Sequence, residues 1–220
     1  MSGQISLKEA ERKAFRTKYD DGLLDVFMGG ILAIFAIAPY LSESMGDFWS
    51  SLVFLPIWAL LYLTILLVRK HVVTPRVGAV KFSQRRKTRM LKFTVVMMII
   101  NAAGLILGLL AARYFGEPPE YIYTIAISLL LLTGFSAAAY YLDVPRYYVY
   151  GVLAWLTPLA GEWLWNQGFA AHHGFPVTFG ILSGIMVLTG LVVFIRLLRE
   201  NPLPGGETPS KNANHGQPTS

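Results

Sequence analysis

Apolar residues in this chain come in blocks of about twenty, the length needed to cross ~30 Å of hydrocarbon at 1.5 Å per residue, and short polar segments divide them. The blocks fall at about 21–41, 48–68, 91–115, 121–142, 147–165 and 176–198. The expected fold is all-α, a polytopic six-helix transmembrane bundle. SESMGD, GEPPE and DVPR make the short connections, and the two prolines of GEPPE cannot continue a helix. Short connections leave consecutive helices antiparallel. The one long connection is the loop at 69–90. Residues 1–20 carry Ser6 and, three residues on, Glu9, a capping box that starts a short amphipathic cytoplasmic lead-in. They hold basic and acidic side chains but no apolar core, so no cleavable signal peptide is expected. The tail at 199–220, rich in Pro, Gly, Ser, Asn and Thr, buries too little apolar area to offset its ordering entropy and is expected to be disordered.

Charge then orients the bundle. Eighteen of the nineteen Lys and Arg residues lie on one side of the six blocks, and Arg113 alone lies on the other. Basic loops stay cytoplasmic during insertion, so the N-terminus and the C-terminus are both expected in the cytoplasm. The net charge of +6 is accounted for by these flanking segments, and no nucleic-acid partner is expected. Composition agrees with a lipid bilayer as the main partner: 54% of residues are hydrophobic, 15% are charged and the mean hydropathy is +0.49. With no cysteine, disulfides, thiolate metal sites and a cysteine nucleophile are excluded. Tyr40, Trp49, Tyr114, Tyr121, Trp163 and Trp165 fall at the outer ends of the blocks, where amphipathic rings prefer to sit.

Polar residues inside the blocks are the candidates for chemistry. Asp21 and Asp25 are four apart and share a face at the start of the first span. A charge inside hydrocarbon needs a partner, and Arg146 and Arg196 stand at the same inner level, so each is expected to pair with Asp25. Asn101 lies near the middle of the third span, where its amide is expected to bond across helices to Thr64, Thr133 or Thr157. Glu162 gathers with His172 and His173 at the outer end of the fifth span, but adjacent histidines and the lack of an HExxH spacing argue against a metal there. No nucleophile elbow, phosphate-binding glycine loop or intramembrane histidine for haem is present, so no cofactor and no enzymatic activity are expected. Small residues at Gly104 and Gly108, at Gly180 and Gly184, and from Gly134 to Ala139 let helices approach closely, within one chain or between copies of a homo-oligomer.

The loop from Arg69 to Lys92 carries nine of the nineteen basic residues. Its HVVTPRVGAVKFS segment mixes β-branched and aromatic residues with Pro and Gly, which predicts an extended or hairpin-like piece before the QRRKTR cluster. Topology alone would tolerate any basic sequence, so this pattern implies a fixed shape. Arg76, Lys81, Arg85, Arg86, Lys87 and Arg89 are the candidate docking residues for anionic lipid headgroups or an acidic cytoplasmic protein.

Tyr19-Asp20-Asp21-Gly22-Leu23-Leu24-Asp25 with Gly29 and Gly30, and Thr74-Pro75-Arg76-Val77-Gly78-Ala79-Val80-Lys81-Phe82, resemble a family of uncharacterised bacterial integral membrane proteins. The resemblance covers roughly the first 90 residues and departs from the family at Ala79, where an aromatic often stands. It implies a bacterial inner, or plasma, membrane, assigns no catalytic residue, and suggests that the aspartate face and the loop form one feature. The function expected is an interaction or scaffold protein docking a partner through the basic loop. The rival is a membrane subunit of a transporter, like an ABC-exporter permease, by analogy of architecture. A third reading, an intramembrane enzyme, rests on Glu162 and the histidines.

Overall fold

The computed structural model describes residues 19–77, 84–114 and 120–202. The expected amphipathic lead-in, most of the tail, and Lys81 lie outside the described residues. Within them the fold is all-α, with six long helices: α1 Leu23–Met45, α2 Asp47–Val68, α3 Gln84–Tyr114, α4 Glu120–Leu142, α5 Arg146–Asn166 and α6 Phe175–Glu200. Two boundaries move. The α1 helix continues through Ser44 and Met45 and reverses at Gly46, whose positive φ of 80° makes a one-residue turn. The α3 helix begins at Gln84, so the QRRKTR cluster is helical rather than a lead-in to the span.

Among the described residues five stretches are long and apolar enough to cross a membrane, and by length and composition the chain is a multi-pass membrane protein. They fall in α1, α3, α4 and α6 and in α2 with the turn after it. The fifth expected span, α5, is a long helix that does not meet this measure. Tyr, Trp, Gly and Pro, with Arg146 and Glu162, dilute its apolar content. Its position gives the reason: Tyr147, Tyr150, Gly151, Ala154, Thr157, Pro158 and Gly161 are buried on it, and it packs between α4 and α6. A helix covered by neighbours on two sides need not be apolar all round.

The helices pack in the order α2, α1, α6, α5, α4, α3. The core lies among the inner four: Leu32 and Ala36 of α1, Phe135, Ala138, Ala139 and Leu142 of α4, Tyr147 and Ala154 of α5, and Phe179, Leu182 and Met186 of α6. By contrast α2 and α3 expose Leu55, Leu60, Leu67, Leu91, Met98 and Leu105. In water such faces would be a liability; against lipid they are the expected surface.

The closest approach is between α1 and α6. A Cβ on Gly22 would stand 2.2 Å from the Gly190 carbonyl oxygen, and one on Gly190 would stand 2.6 Å from the Gly22 carbonyl oxygen. Gly22 also has φ of 77°, so a side chain there is strained twice over. One helical stretch further along, the Ser183 hydroxyl donates to the Gly29 carbonyl at 2.7 Å. The small residues expected to make such contacts divide: Ala138 and Ala139 of α4 are buried in the core, whereas the glycines are less tightly enclosed. Gly184 meets open space, Gly180 and Gly134 have only ordinary contacts at 3.9 Å, and Gly104 touches the flexible Leu130 side chain. Four-residue spacing signals that an approach is permitted, without saying which face meets a neighbour.

Replacing Gly190 by Ala is therefore expected to cost about 1–3 kcal/mol through overpacking against backbone, and replacing Gly22 at least as much. Gly184→Ala should change stability by less than about 0.5 kcal/mol. Thermal unfolding of the three purified variants in detergent checks this, and equal melting temperatures would contradict it.

Candidate functional site at the charged end of the bundle

The YDDGLLD segment at the start of α1 is a compact set of instructions, each fulfilled by a contact. The Asp21 carboxylate is fully buried; its Oδ1 accepts the Leu23 backbone N–H two residues on at 3.1 Å, a side-chain turn just ahead of the helix. Its Oδ2 accepts from Arg69 Nη2 at 2.8 Å and from Nε at 3.1 Å, a forked contact made by one edge of the guanidinium. Gly22 gives the turn that lets the chain run against α6. Asp25, also fully buried, stands with Oδ2 2.7 Å from Arg146 Nη2, an attraction of charges out of line for a hydrogen bond. Arg146 Nη1 donates in turn to Asp20. Burial pushes the Tyr19 phenol above its ordinary range, against the opposing pull of the Arg69 guanidinium.

Arg146 is thus the partner of Asp25, whereas Arg196 is not: it is exposed and pairs with Glu200 one turn on in its own helix, at 2.7 Å. An Arg on the outer face of α6 reaches water more readily than it reaches the core. Two ion pairs therefore join the start of α1 to the turn after α2 and to the start of α5. The Arg69 pair was not anticipated, although a signal existed: Asp21 and Arg69 are nearly equidistant from the Gly46 reversal, so an antiparallel hairpin brings them level.

The first part of the basic loop is also different from the expected extended piece. Arg69–Val73 forms a π-helical turn and Thr74–Val77 a further turn of α-helix. Pro75 has no N–H and its ring crowds the carbonyl four residues back, a local reason for a widened turn. The Arg69 carbonyl is taken up by the Thr74 hydroxyl at 2.9 Å and by the Thr74 N–H. Val73 is buried with Leu23 of α1 and Leu197 of α6. The loop is therefore fastened at Arg69 and Val73, and Arg76 sits part-buried beyond them. Lys87 is exposed on the first turn of α3. Arg85 and Arg86 are helical, with side chains outside those described.

Arg89 belongs to the same end by another route. It donates to the Tyr140 carbonyl and lies 3.9 Å from Asp143, in the turn that leads to Arg146.

The remaining candidates stand elsewhere. Asn101 is exposed and donates to the Met97 carbonyl of its own helix at 2.8 Å. Thr64, Thr133 and Thr157 likewise bond to carbonyls of their own helices, so the expected interhelical amide bond is not formed. The amide finds an acceptor one turn back, which satisfies one of its donors without a neighbour. The Glu162 carboxylate accepts from His173 Nδ1 at 3.1 Å, while His172 stands 3.4 Å from Glu43 of α1. The two histidines thus face different carboxylates. Among the described residues no three His, Asp or Glu gather as a metal set.

Neither family models, curated proteins nor solved structures provide a match for this chain.

Removing one partner of a buried pair costs about 3–5 kcal/mol, because the other charge is left uncompensated. Arg146→Gln is expected to fall in that range, Asp20→Asn well below it, and Arg146→Gln with Asp25→Asn below the sum of the two singles. Asn101→Leu should leave the melting temperature unchanged or raise it. Detergent-phase melting of the set checks these outcomes, and a strictly additive double variant would contradict the pair.

Proposed function

We propose that this chain is an interaction scaffold of the bacterial plasma membrane, without enzymatic activity of its own, that docks an acidic protein partner or anionic lipid on its basic cytoplasmic face. In this reading the chain spans the membrane six times, with α5 as the shielded span and both termini inside. The strong bias of Lys and Arg to one side supports that orientation.

The observation that carries the reading is the fastening of the loop. A loop serving only as a topology signal needs charge and no shape. Here its first residues are wound into two successive turns, tied to Asp21 through Arg69 and seated on α1 and α6 through Val73. Fixing a cationic surface in advance lowers the entropy lost when an anion binds. Basic residues near a membrane surface each contribute about 1 kcal/mol toward an anionic leaflet.

The test is a mild-detergent pulldown of wild type beside a variant with Lys81, Arg85, Arg86 and Lys87 changed to Gln, Arg89 being spared for its internal contacts. Bound proteins and lipids are identified by mass spectrometry. Loss of an acidic protein or anionic lipid by about tenfold or more in the variant is the expected result. Identical recoveries would contradict the docking reading, and selective loss of a P-loop ATPase would replace it with the transport-subunit reading.

A further inference from the structure

A cleft of about 530 Å³ opens between α3 and the last turn of α4, lined by Gln84, Thr88, Arg89, Lys92, Tyr140 and Tyr141. Arg89 is held in place within it. Its guanidinium lies 5.6 Å from the Tyr140 ring centroid and donates to the Tyr140 carbonyl, and Asp143 stands 3.9 Å away. One turn on, Lys92 adds a second cation from an exposed position. Thr88 spends its proton on the Gln84 carbonyl at 3.0 Å and keeps its lone pairs, and the exposed Gln84 amide stands at the same edge. A planar guanidinium and an ammonium set beside aromatic rings match a phosphate group, which offers several acceptor oxygens to a forked donor.

The surroundings identify the kind of phosphate. Beside the cleft and further along α3, Leu91, Val95 and Met98 are exposed at 64%, 46% and 66%. The cleft therefore lies where a cationic stretch of helix passes into a lipid-facing one. A soluble anion would use only the polar half of that arrangement; a phospholipid uses both. We infer that the cleft binds the phosphate headgroup of an anionic phospholipid of the cytoplasmic leaflet, with acyl chain laid along the exposed apolar side of α3. The inference rests on the docking reading and its orientation, and it adds a defined lipid site at Arg89 and Lys92 to the docking surface of the loop.

Native mass spectrometry of the full chain in mild detergent, titrated with phosphatidylglycerol or phosphatidylcholine, tests it. Wild type is expected to prefer phosphatidylglycerol by about tenfold, with the preference lost in Arg89→Gln/Lys92→Gln. Lys92→Gln alone, at an exposed residue, should lose at least about threefold and guards against a folding artefact. Millimolar inorganic phosphate should not displace the lipid; displacement would assign the cleft to a soluble anion and overturn the proposal. Retained preference in both cleft variants, with loss in the variant changed at Lys81, Arg85, Arg86 and Lys87, would overturn the cleft while leaving the scaffold reading intact. No change in any variant would overturn both.

Discussion

A carboxylate cannot be left unpaired where water is excluded, and the fold is arranged around two that are buried completely. Asp21 and Asp25 sit one turn apart at the start of α1, and each takes a different cation. Arg69 comes to the first from the end of α2, and Arg146 to the second from the start of α5. The cost of desolvating these charges is offset only if the partners are held in place, so each pair specifies where another helix must begin or end. Glycine contacts between α1 and α6 complete the fixation, because Gly22 lies between the two aspartates and against Gly190.

The same arrangement links architecture to the basic end of the bundle. Arg69 is at once the last residue needed by the α1 aspartates and the first residue of the basic loop. Its pairing starts the loop in a fixed direction, Val73 anchors it a turn later, and Pro75 prevents an ordinary helix from simply continuing. Across the bundle, Arg89 is held at the foot of α4 beside Asp143, close in sequence to Arg146. Several cations of this basic end are thus built into its tertiary contacts.

Much of this was legible in the sequence. Blocks of apolar residues gave six helices with ends correct to within a few residues, apart from the early start of α3. The need of Asp25 for a cation followed from its depth, and Arg146 was a reasonable partner because it began a later helix at the same level. Helix rotation was not legible. Asn101 could face a neighbour or lipid on the same composition, and it bonds within its own helix. Gly180 and Gly184 have the spacing of a packing face, yet the close contacts fall to Gly22, Gly29 and Gly190, since which face turns inward depends on every other helix. The π-helical turn after α2 was hidden because β-branched residues around a proline read equally as an extended segment.

The central claim is that the Asp21–Arg69 pair shapes the beginning of the basic loop. Hydrogen–deuterium exchange of the detergent-solubilised chain, comparing wild type with Asp21→Asn, tests it most directly. The account predicts that amides from Lys70 to Val77 exchange at least about tenfold faster in the variant, while α4 and α5 are unchanged. Unchanged exchange across that turn would contradict it, and would leave the loop's shape to be explained by its own sequence alone.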